Sequence, residues 1–251
     1  MSEAMEAEFD TIAEWTATVA RDLGRDHYMP AACRGSGSPA ALDWLIEQMR
    51  LAPGESLLDS GAGVGGPAAY AATSRAVRPM LVEPERGACR AAAALFDHPV
   101  IRAVGSTLPT RDHSFDAAWS LGVLCTTTDQ QQLLDELRRT VRPGGRIGLL
   151  VFVKHGELPA DELPDNHFPT ADRLGGLIAA AALSVEQWLG TAELPAIPTA
   201  WIEREQAVTE ALTERYGHTR AWRLADRQSA SIGRLLEAGT VTGELLVLRR
   251  A

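Results

Sequence analysis

One segment of the chain is an apolar run that ends in a carboxylate and then breaks into glycines. It reads Leu57-Leu58-Asp59-Ser60-Gly61-Ala62-Gly63-Val64-Gly65-Gly66. An apolar run bounded by glycines predicts a buried strand followed by a tight turn. Glycine has no Cβ and tolerates positive φ, so the backbone of such a turn can approach a ligand closely. The segment therefore predicts a strand that leads directly into a ligand-binding loop.

Strands and helices alternate after this loop, which predicts βαβ units and a parallel sheet. Apolar runs without alternation, such as Ile147 to Val153, fit a sheet that is covered on both faces. The predicted strands cover residues 57–60, 80–83, 100–104, 115–120, 146–153, 184–189 and 244–249, the last of them antiparallel. The predicted helices cover residues 1–30, 40–49, 67–75, 85–96, 130–141, 170–182, 199–216 and 221–237. The 251 residues form one predicted domain of the α/β class.

Composition excludes several classes of function. A formal charge of -9 and a pI near 5.2 argue against a surface that follows nucleic-acid phosphates. The three cysteines, Cys33, Cys89 and Cys125, are too few and too far apart for a disulfide framework or a zinc site, so no metal is predicted. No apolar run reaches the roughly 18 to 20 residues of a membrane span. We expect a soluble, cytoplasmic protein without a membrane or nucleic-acid partner.

The glycine loop by itself is compatible with more than one ligand. Gly61, Gly63 and Gly66 also satisfy the dinucleotide-binding pattern. In dinucleotide folds the pyrophosphate lies at the helix N-terminus, so Asp59, two residues before the first glycine, would place like charge close to it. Asp59 therefore favours a cationic ligand. A third interpretation is a core strand that ends in an aspartate cap.

Two downstream segments decide between these interpretations. Residues 113–120 contain Ser114-Phe115-Asp116, and residues 134–139 precede the turn Arg142-Pro143-Gly144-Gly145. Together with the glycine loop, these segments resemble the motifs of class I S-adenosylmethionine (SAM) dependent methyltransferases of the small-molecule type, over about residues 55 to 155. SAM has no phosphate and carries a sulfonium and an ammonium group, so an acid at Asp59 would attract it.

The resemblance implies a seven-stranded, mostly parallel Rossmann-like sheet with helices on both faces and an antiparallel last strand. It divides the domain into an N-terminal helical cap (1–50), a SAM-binding core (51–155) and a substrate-side half (156–251) with inserted helices at 198–238. In such sheets ligands bind beyond the carboxyl ends of the strands. The expected cofactor-binding residues follow strand ends: Asp59, Gly61, Gly63, Glu83, Pro84, Ser106, Thr107, Ser120 and Leu121.

Glu83 and the segment after the third strand are expected to bind the adenosine part of the cofactor. A carboxylate at Glu83 can accept two hydrogen bonds from a ribose diol, although NAD would use an acid there too. The alternative is that Glu83 caps the helix that starts near Glu85. Many relatives carry an acid after the third strand for adenine, but this chain has none there. Adenine recognition would fall to the hydroxyls of Ser106 and Thr107 and to backbone groups.

Catalysis of methyl transfer depends chiefly on holding the acceptor in line with the methyl group, and a general base is needed only where the acceptor must lose a proton. The family therefore has no universal catalytic residue. The candidates are His155 after the fifth strand, His167 before a helix that relatives place over the substrate, and Tyr28 in an N-terminal lid. We expect methyl transfer to a small, partly apolar acceptor, with S-adenosylhomocysteine (SAH) as product. O-methylation is favoured over N- and C-methylation. The alternatives are a SAM-binding cyclase, isomerase or partner subunit without transfer, and a nicotinamide reductase; a homodimer stays open.

Overall fold

The fold centres on one mixed sheet, seen in a computed structural model that describes residues 7–158, 163 and 165–250. Its seven strands in chain order are β1 Ser56–Ser60, β2 Arg78–Glu83, β3 Val100–Arg102, β4 Phe115–Leu121, β5 Val141–Lys154, β6 Leu183–Gly190 and β7 Val241–Arg250. The order across the sheet is β3-β2-β1-β4-β5-β7-β6. Neighbours from β3 to β5 are parallel, and β7 is antiparallel to both β5 and β6. The predicted seven-stranded sheet is confirmed.

Helices cover both faces of this sheet. They are α1 Ala13–Leu23, α2 Tyr28–Ala32, α3 Pro39–Gln48, α4 Gly66–Arg75, α5 Arg86–Leu95, α6 Gln130–Thr140, α7 Ala171–Ala180, α8 Thr199–Tyr216 and α9 Arg220–Glu237. A π-helical turn, Ala7–Ile12, leads into α1, while residues 1–6 of the predicted N-terminal helix lie outside the described part. Among the helices described, none is both long and apolar enough to cross a membrane.

The core consists of two layers on either side of the sheet. Leu57 and Leu58 of β1 point to opposite faces, and both are fully buried. Leu58 belongs to the layer that includes residues of α6 and α7, and Leu57 to the layer that includes Trp119 and residues of α3. A parallel strand that is buried on both faces needs apolar residues at every position, which explains the unalternating runs in the sequence.

The N-terminal cap is held against α5 and α8. Asp10 accepts a hydrogen bond from the amide of Gly87 in the first turn of α5. Trp15 of α1 stacks on Tyr216 at the end of α8, with ring centroids 4.0 Å apart. A Cβ on Gly66, the first residue of α4, would lie 2.5 Å from the carbonyl carbon of Ala32. The end of α2 thus packs directly against the end of the glycine loop.

Arg250 gives a prediction about stability. Its guanidinium donates hydrogen bonds to three carbonyl oxygens at the end of α6, those of Arg138, Arg139 and Val141. Because buried carbonyls without partners are costly, we expect Arg250→Met to lower the free energy of unfolding by about 2 kcal/mol. Thermal denaturation measures this, at about 2–4 °C per kcal/mol for a chain of this size. Arg249→Met is the matched control, because Arg249 is more exposed and forms a surface ion pair. Equal losses in the two variants would contradict this assignment.

Candidate active site

Adjacent strands bring the predicted acids to one edge of the sheet. Asp59 lies opposite Leu81 of β2 on one side and opposite Trp119 of β4 on the other. Glu83 is the last residue of β2, and the glycine loop starts directly after β1. The structure therefore brings Asp59, Glu83 and the loop together at the carboxyl ends of the strands, where parallel sheets bind ligands.

The glycine loop folds back over the end of β2. The amides of Gly61 and Ala62 donate to the carbonyl oxygen of Val82, at 2.8 and 3.2 Å. Gly61 has φ +77°, and a Cβ there would lie 2.3 Å from Cγ2 of Val123. Gly63 has φ +53°, with no atom within 4 Å of the place where a Cβ would stand. The loop therefore requires glycine at position 61, and it leaves open space above position 63.

Glu83 holds the loop in this conformation. One of its carboxylate oxygens accepts the amide of Gly63 at 2.8 Å, and the other accepts the amide of Glu85 at 3.0 Å. Burial raises the pKa of Glu83 to about 7, against the lowering effect of these two amides. The bond to Glu85, which immediately precedes α5, is compatible with the capping interpretation, but Glu83 is buried and does not lie at the surface. Each oxygen keeps a further lone pair, so the ribose contact stays a prediction.

Asp59 is a buried carboxylate with an unused oxygen. It is 2 % exposed, and its Oδ2 has no hydrogen-bond partner among the described residues. Burial raises the pKa of Asp59 to about 7; the neighbouring Trp119 lowers it and the charge of Glu83 raises it further. An unpaired buried carboxylate is costly unless it meets a donor or a cation. Its position beside the glycine loop fits a ligand that carries an ammonium group.

The other predicted cofactor residues differ in accessibility. Ser106 is half-buried and Thr107 is exposed, and Val104 is an exposed apolar side chain next to them. Ser120 is buried, and its hydroxyl donates to the carbonyl oxygen of Ser60 at 2.8 Å, which ties β4 to β1. Leu121 is buried in the core. The remaining residue, Pro84, is half-buried and its carbonyl oxygen accepts the Nε of an arginine on β3. The side chains of Ser120 and Leu121 thus stabilise the sheet and its core. A ligand that contacts these two residues would bind their backbone groups.

A cavity of about 420 Å³ lies over the C-terminal half of β5. Residues 33–41, residues 191–197 and the first turns of α8 form its walls, and Leu150 and Phe152 form its floor. Leu150 accepts the amide of Gly122 directly after β4, which places the floor at the carboxyl edge. A more open depression of about 590 Å³ lies at the opposite, amino edge, and none of the predicted site residues line it.

His155 lies at the end of β5 in a chain of hydrogen bonds. Its Nε2 is 2.7 Å from the hydroxyl of Thr242, and that hydroxyl donates to Glu244 at 2.7 Å. Because an ionised carboxylate only accepts, the hydroxyl hydrogen of Thr242 is used, and Nε2 of His155 must carry a proton. Nδ1 is then the basic nitrogen of neutral His155, and the ring is exposed.

The structure does not bring the three predicted bases together. His167 is exposed, and its backbone amide donates to Cys125 while its carbonyl oxygen accepts the side chain of Gln130. Tyr28 is half-buried and meets Phe96 edge-on, with ring centroids 6.4 Å apart. Neither these two nor His155 lines the 420 Å³ cavity. Their roles as bases stay predictions.

The sequence interpretation missed Glu205. It lies one turn after Trp201 on α8, and both side chains line the cavity. Burial raises the pKa of Glu205, while Trp201 and the positive charge of Arg34 lower it. The helical spacing of Trp201, Glu205 and the buried Val208 was the available signal, because it places the three on one face of α8.

Comparisons with known proteins agree with this geometry. Residues 58–149 match the family model described as a methyltransferase domain. Methyltransferase GfsG of Streptomyces halstedii is 32% identical over 121 residues, which are 45% of this chain and 44% of that protein. The 27-O-demethylrifamycin SV methyltransferase of Amycolatopsis mediterranei (strain S699) is 35% identical over 118 residues, 44% of this chain and 43% of that one. The matched parts thus span less than half the length of these relatives.

Solved structures of low sequence identity share most of the fold. The [4+2]-cyclase SpnF has a TM-score of 0.66 at 22% identity, over 83% of this chain and 79% of that one. The geranyl diphosphate C-methyltransferase of Streptomyces coelicolor A3(2) has a TM-score of 0.63 at 15% identity, over 84% and 79%. The family match and the order of the sheet support the predicted family. Residues 58–149 carry a methyltransferase domain, and the described sheet has the fold of the class I methyltransferases, a family that uses SAM as methyl donor.

Proposed function

We propose that the chain binds SAM and transfers its methyl group to a hydroxyl of a small, partly apolar acceptor. The observation that carries this proposal is the buried, unpartnered oxygen of Asp59 beside the glycine loop. Two relatives support a hydroxyl acceptor, the 27-O-demethylrifamycin SV methyltransferase and a probable tocopherol O-methyltransferase of Oryza sativa subsp. japonica. The cavity over β5 supports a small molecule, since its volume lies within the roughly 300–1,000 Å³ of small-molecule sites.

The residues at the carboxyl edge fit SAM part by part. Asp59 would pair with the ammonium group, which offsets the cost of its buried charge. The open space above Gly63 would take the body of the ligand, and the free lone pairs of Glu83 would accept the ribose hydroxyls. The exposed side chain of Val104 and the hydroxyl of Ser106 would meet the adenine ring. When bound, SAM supplies an electrophilic methyl group on a sulfonium.

The chain itself contributes positioning and the exclusion of water. The backbone of Ala32 lies against Gly66, so the end of α2 contacts the start of the helix that follows the loop. Leu150, Phe152 and Trp201 give the neighbouring cavity an apolar lining, which removes water from a reacting oxygen. Holding two reacting groups in line can supply most of the rate enhancement in such a transfer. His155, His167 and Tyr28 are the bases proposed from the sequence.

Calorimetry and mass spectrometry test the proposal. We expect the purified protein to bind SAH and SAM, and we expect its melting temperature to rise when either ligand is added. Incubation with SAM and a library of small hydroxyl compounds should give products that are heavier by one CH₂ group. If neither SAM nor SAH binds at high micromolar concentration, the proposal is wrong.

Two other results would select the alternatives. If SAM binds but products form without a gain in mass, the chain is a SAM-binding cyclase or isomerase; the fold neighbour SpnF is a [4+2]-cyclase. Stabilisation by NADH, but not by SAM, would select the nicotinamide reductase.

A further inference from the structure

The cavity over β5 is lined by an acid, Glu205, that no motif of the family accounts for. We propose that Glu205 is the catalytic base of this chain, and that the cavity takes an acceptor with an acidic hydroxyl, a phenol or an enol, on an apolar body. This inference rests on the proposed function, because it assigns the acceptor side of the same methyl transfer.

The lining of the cavity defines what it can bind. Its walls are mostly apolar or small, with Leu150, Phe152, Ile197 and Trp201 as the larger side chains. Among the described residues that line it, Glu205 is the only one with a charged side chain, and Ser38 and Thr191 add hydroxyl groups. A mostly apolar pocket with a few polar groups orients a ligand by those groups. A ligand that fits therefore has an apolar body and a hydrogen-bond donor that reaches Glu205.

Cys33 connects this cavity to the cofactor side. Its side chain is buried, and its pKa is raised well above the usual value, first by burial and then by the charges of Glu205 and Asp59. The backbone nitrogen of Cys33 lies 2.7 Å from the place where a Cβ on Gly66 would stand. Cys33 thus borders the cavity, contacts the end of the glycine loop, and is influenced by the charges of both carboxylates. Glu205 and Asp59 are thus both close enough to Cys33 for their charges to act on the same thiol.

The groups around Glu205 favour a carboxylate that can accept a proton. Arg34 from the loop before α3 and Trp201 from its own helix lower its pKa, while burial raises it, and Cys33 stays a neutral thiol. A base works best when its pKa is near the operating pH and not far from that of the acid. Phenols ionise near pKa 10, as tyrosine does, whereas aliphatic alcohols are far weaker acids. Glu205 therefore selects phenolic or enolic hydroxyls.

In the proposed step, deprotonation of the acceptor and methyl transfer occur together. The acceptor hydroxyl gives its proton to a carboxylate oxygen of Glu205 as the acceptor oxygen forms a bond to the methyl carbon. The bond between that carbon and sulfur breaks, and its electron pair stays on sulfur, which leaves neutral SAH and the methyl ether. Glu205 then returns its proton to water.

The test compares Glu205→Gln with Glu203→Gln, an exposed glutamate on the same helix. The probes are 4-methylphenol, its saturated analogue 4-methylcyclohexanol, and 4-nitrophenol, which is already ionised in mildly alkaline buffer. We expect wild type to methylate both phenols and not the alcohol. Glu205→Gln should lower kcat for 4-methylphenol by about 100-fold or more, the usual contribution of a general base, and spare 4-nitrophenol. Glu203→Gln should change neither, and all three proteins should bind SAH equally.

Several results would overturn the inference. One is an equal loss on both phenols, because a merely structural role would not depend on the ionisation of the acceptor. Another is a wild-type protein that binds SAH but methylates neither phenol. That result would contradict the acceptor assignment without contradicting cofactor binding. Failure of wild type to bind SAH would instead contradict the proposed function. If Glu205→Gln does not fold, Glu205→Asp keeps the charge and should retain part of the activity on 4-methylphenol.

Discussion

Gly61→Ala is expected to weaken SAH binding by at least about 100-fold, which corresponds to roughly 2.7 kcal/mol. Two costs act together. Gly61 has φ +77°, a conformation that costs an L-residue about 1–2 kcal/mol, and its new Cβ would meet Val123 at 2.3 Å. The loop must move away from β2 and Val123, and the open space above Gly63 changes with it. Calorimetric titration with SAH measures the loss.

Two further variants separate the costs. Gly239 has φ +67° with open space around it, so Gly239→Ala imposes backbone strain without a clash. It should lower the melting temperature slightly and leave SAH affinity unchanged. Gly61→Ala combined with Val123→Ala removes the clash and keeps the strain, so it should recover part of the affinity. If Gly61→Ala binds SAH within about threefold of wild type, the loop does not approach the ligand as proposed.

Most of the fold follows from local patterns in the sequence. Apolar runs and helical periodicity predicted all seven strands and most of the helices, and the order of the sheet agrees with the family. The predicted N-terminal helix is interrupted at Gly24, which has φ +102°, and several strand boundaries also differ from the prediction. The third strand was expected to reach Val104, but it ends at Arg102, and the carbonyl oxygen of Val104 accepts the amide of Thr107 in a turn. The fifth strand starts at Val141 and includes the predicted turn.

The candidate site was predictable only where it depends on strand ends. Asp59 and Glu83 each end a strand, and parallel strands bring such ends together. The pairing of Asp59 with Trp119 depends on the register between β1 and β4, which no local pattern reveals. Glu205 lies far along the chain, and the packing of α8 on the cap brings it to the cavity. The contact of His155 with Thr242 likewise depends on the antiparallel pairing of β5 and β7.

Asp59→Asn is expected to have opposite effects on stability and on cofactor binding. In the ligand-free protein the ionised Asp59 is buried without a partner for Oδ2, so its charge opposes folding. Asparagine has the same shape without the charge. We therefore expect the ligand-free variant to melt several degrees higher in mildly alkaline buffer, and to bind SAM at least about tenfold more weakly. Scanning calorimetry and titration with SAM measure the two effects. Asp43→Asn, at an exposed carboxylate that accepts the hydroxyl of Tyr70, should change neither by much.

The sign of the pH dependence follows from the same burial. The pKa of Asp59 is raised from 3.8 to about 7, so the folded state holds a proton that the unfolded chain has lost. The contribution of Asp59 to the stability of the ligand-free protein should then be greatest below about pH 4, and it should fall as the pH rises towards 7. Glu83, also raised to about 7, acts in the same direction. SAM affinity should rise over the upper part of this interval, because its ammonium group requires the ionised carboxylate of Asp59. In Asp59→Asn the fall in stability should become shallower; a variant that keeps the wild-type pH dependence and the wild-type SAM affinity would show that Asp59 does not carry the charge that binds the cofactor.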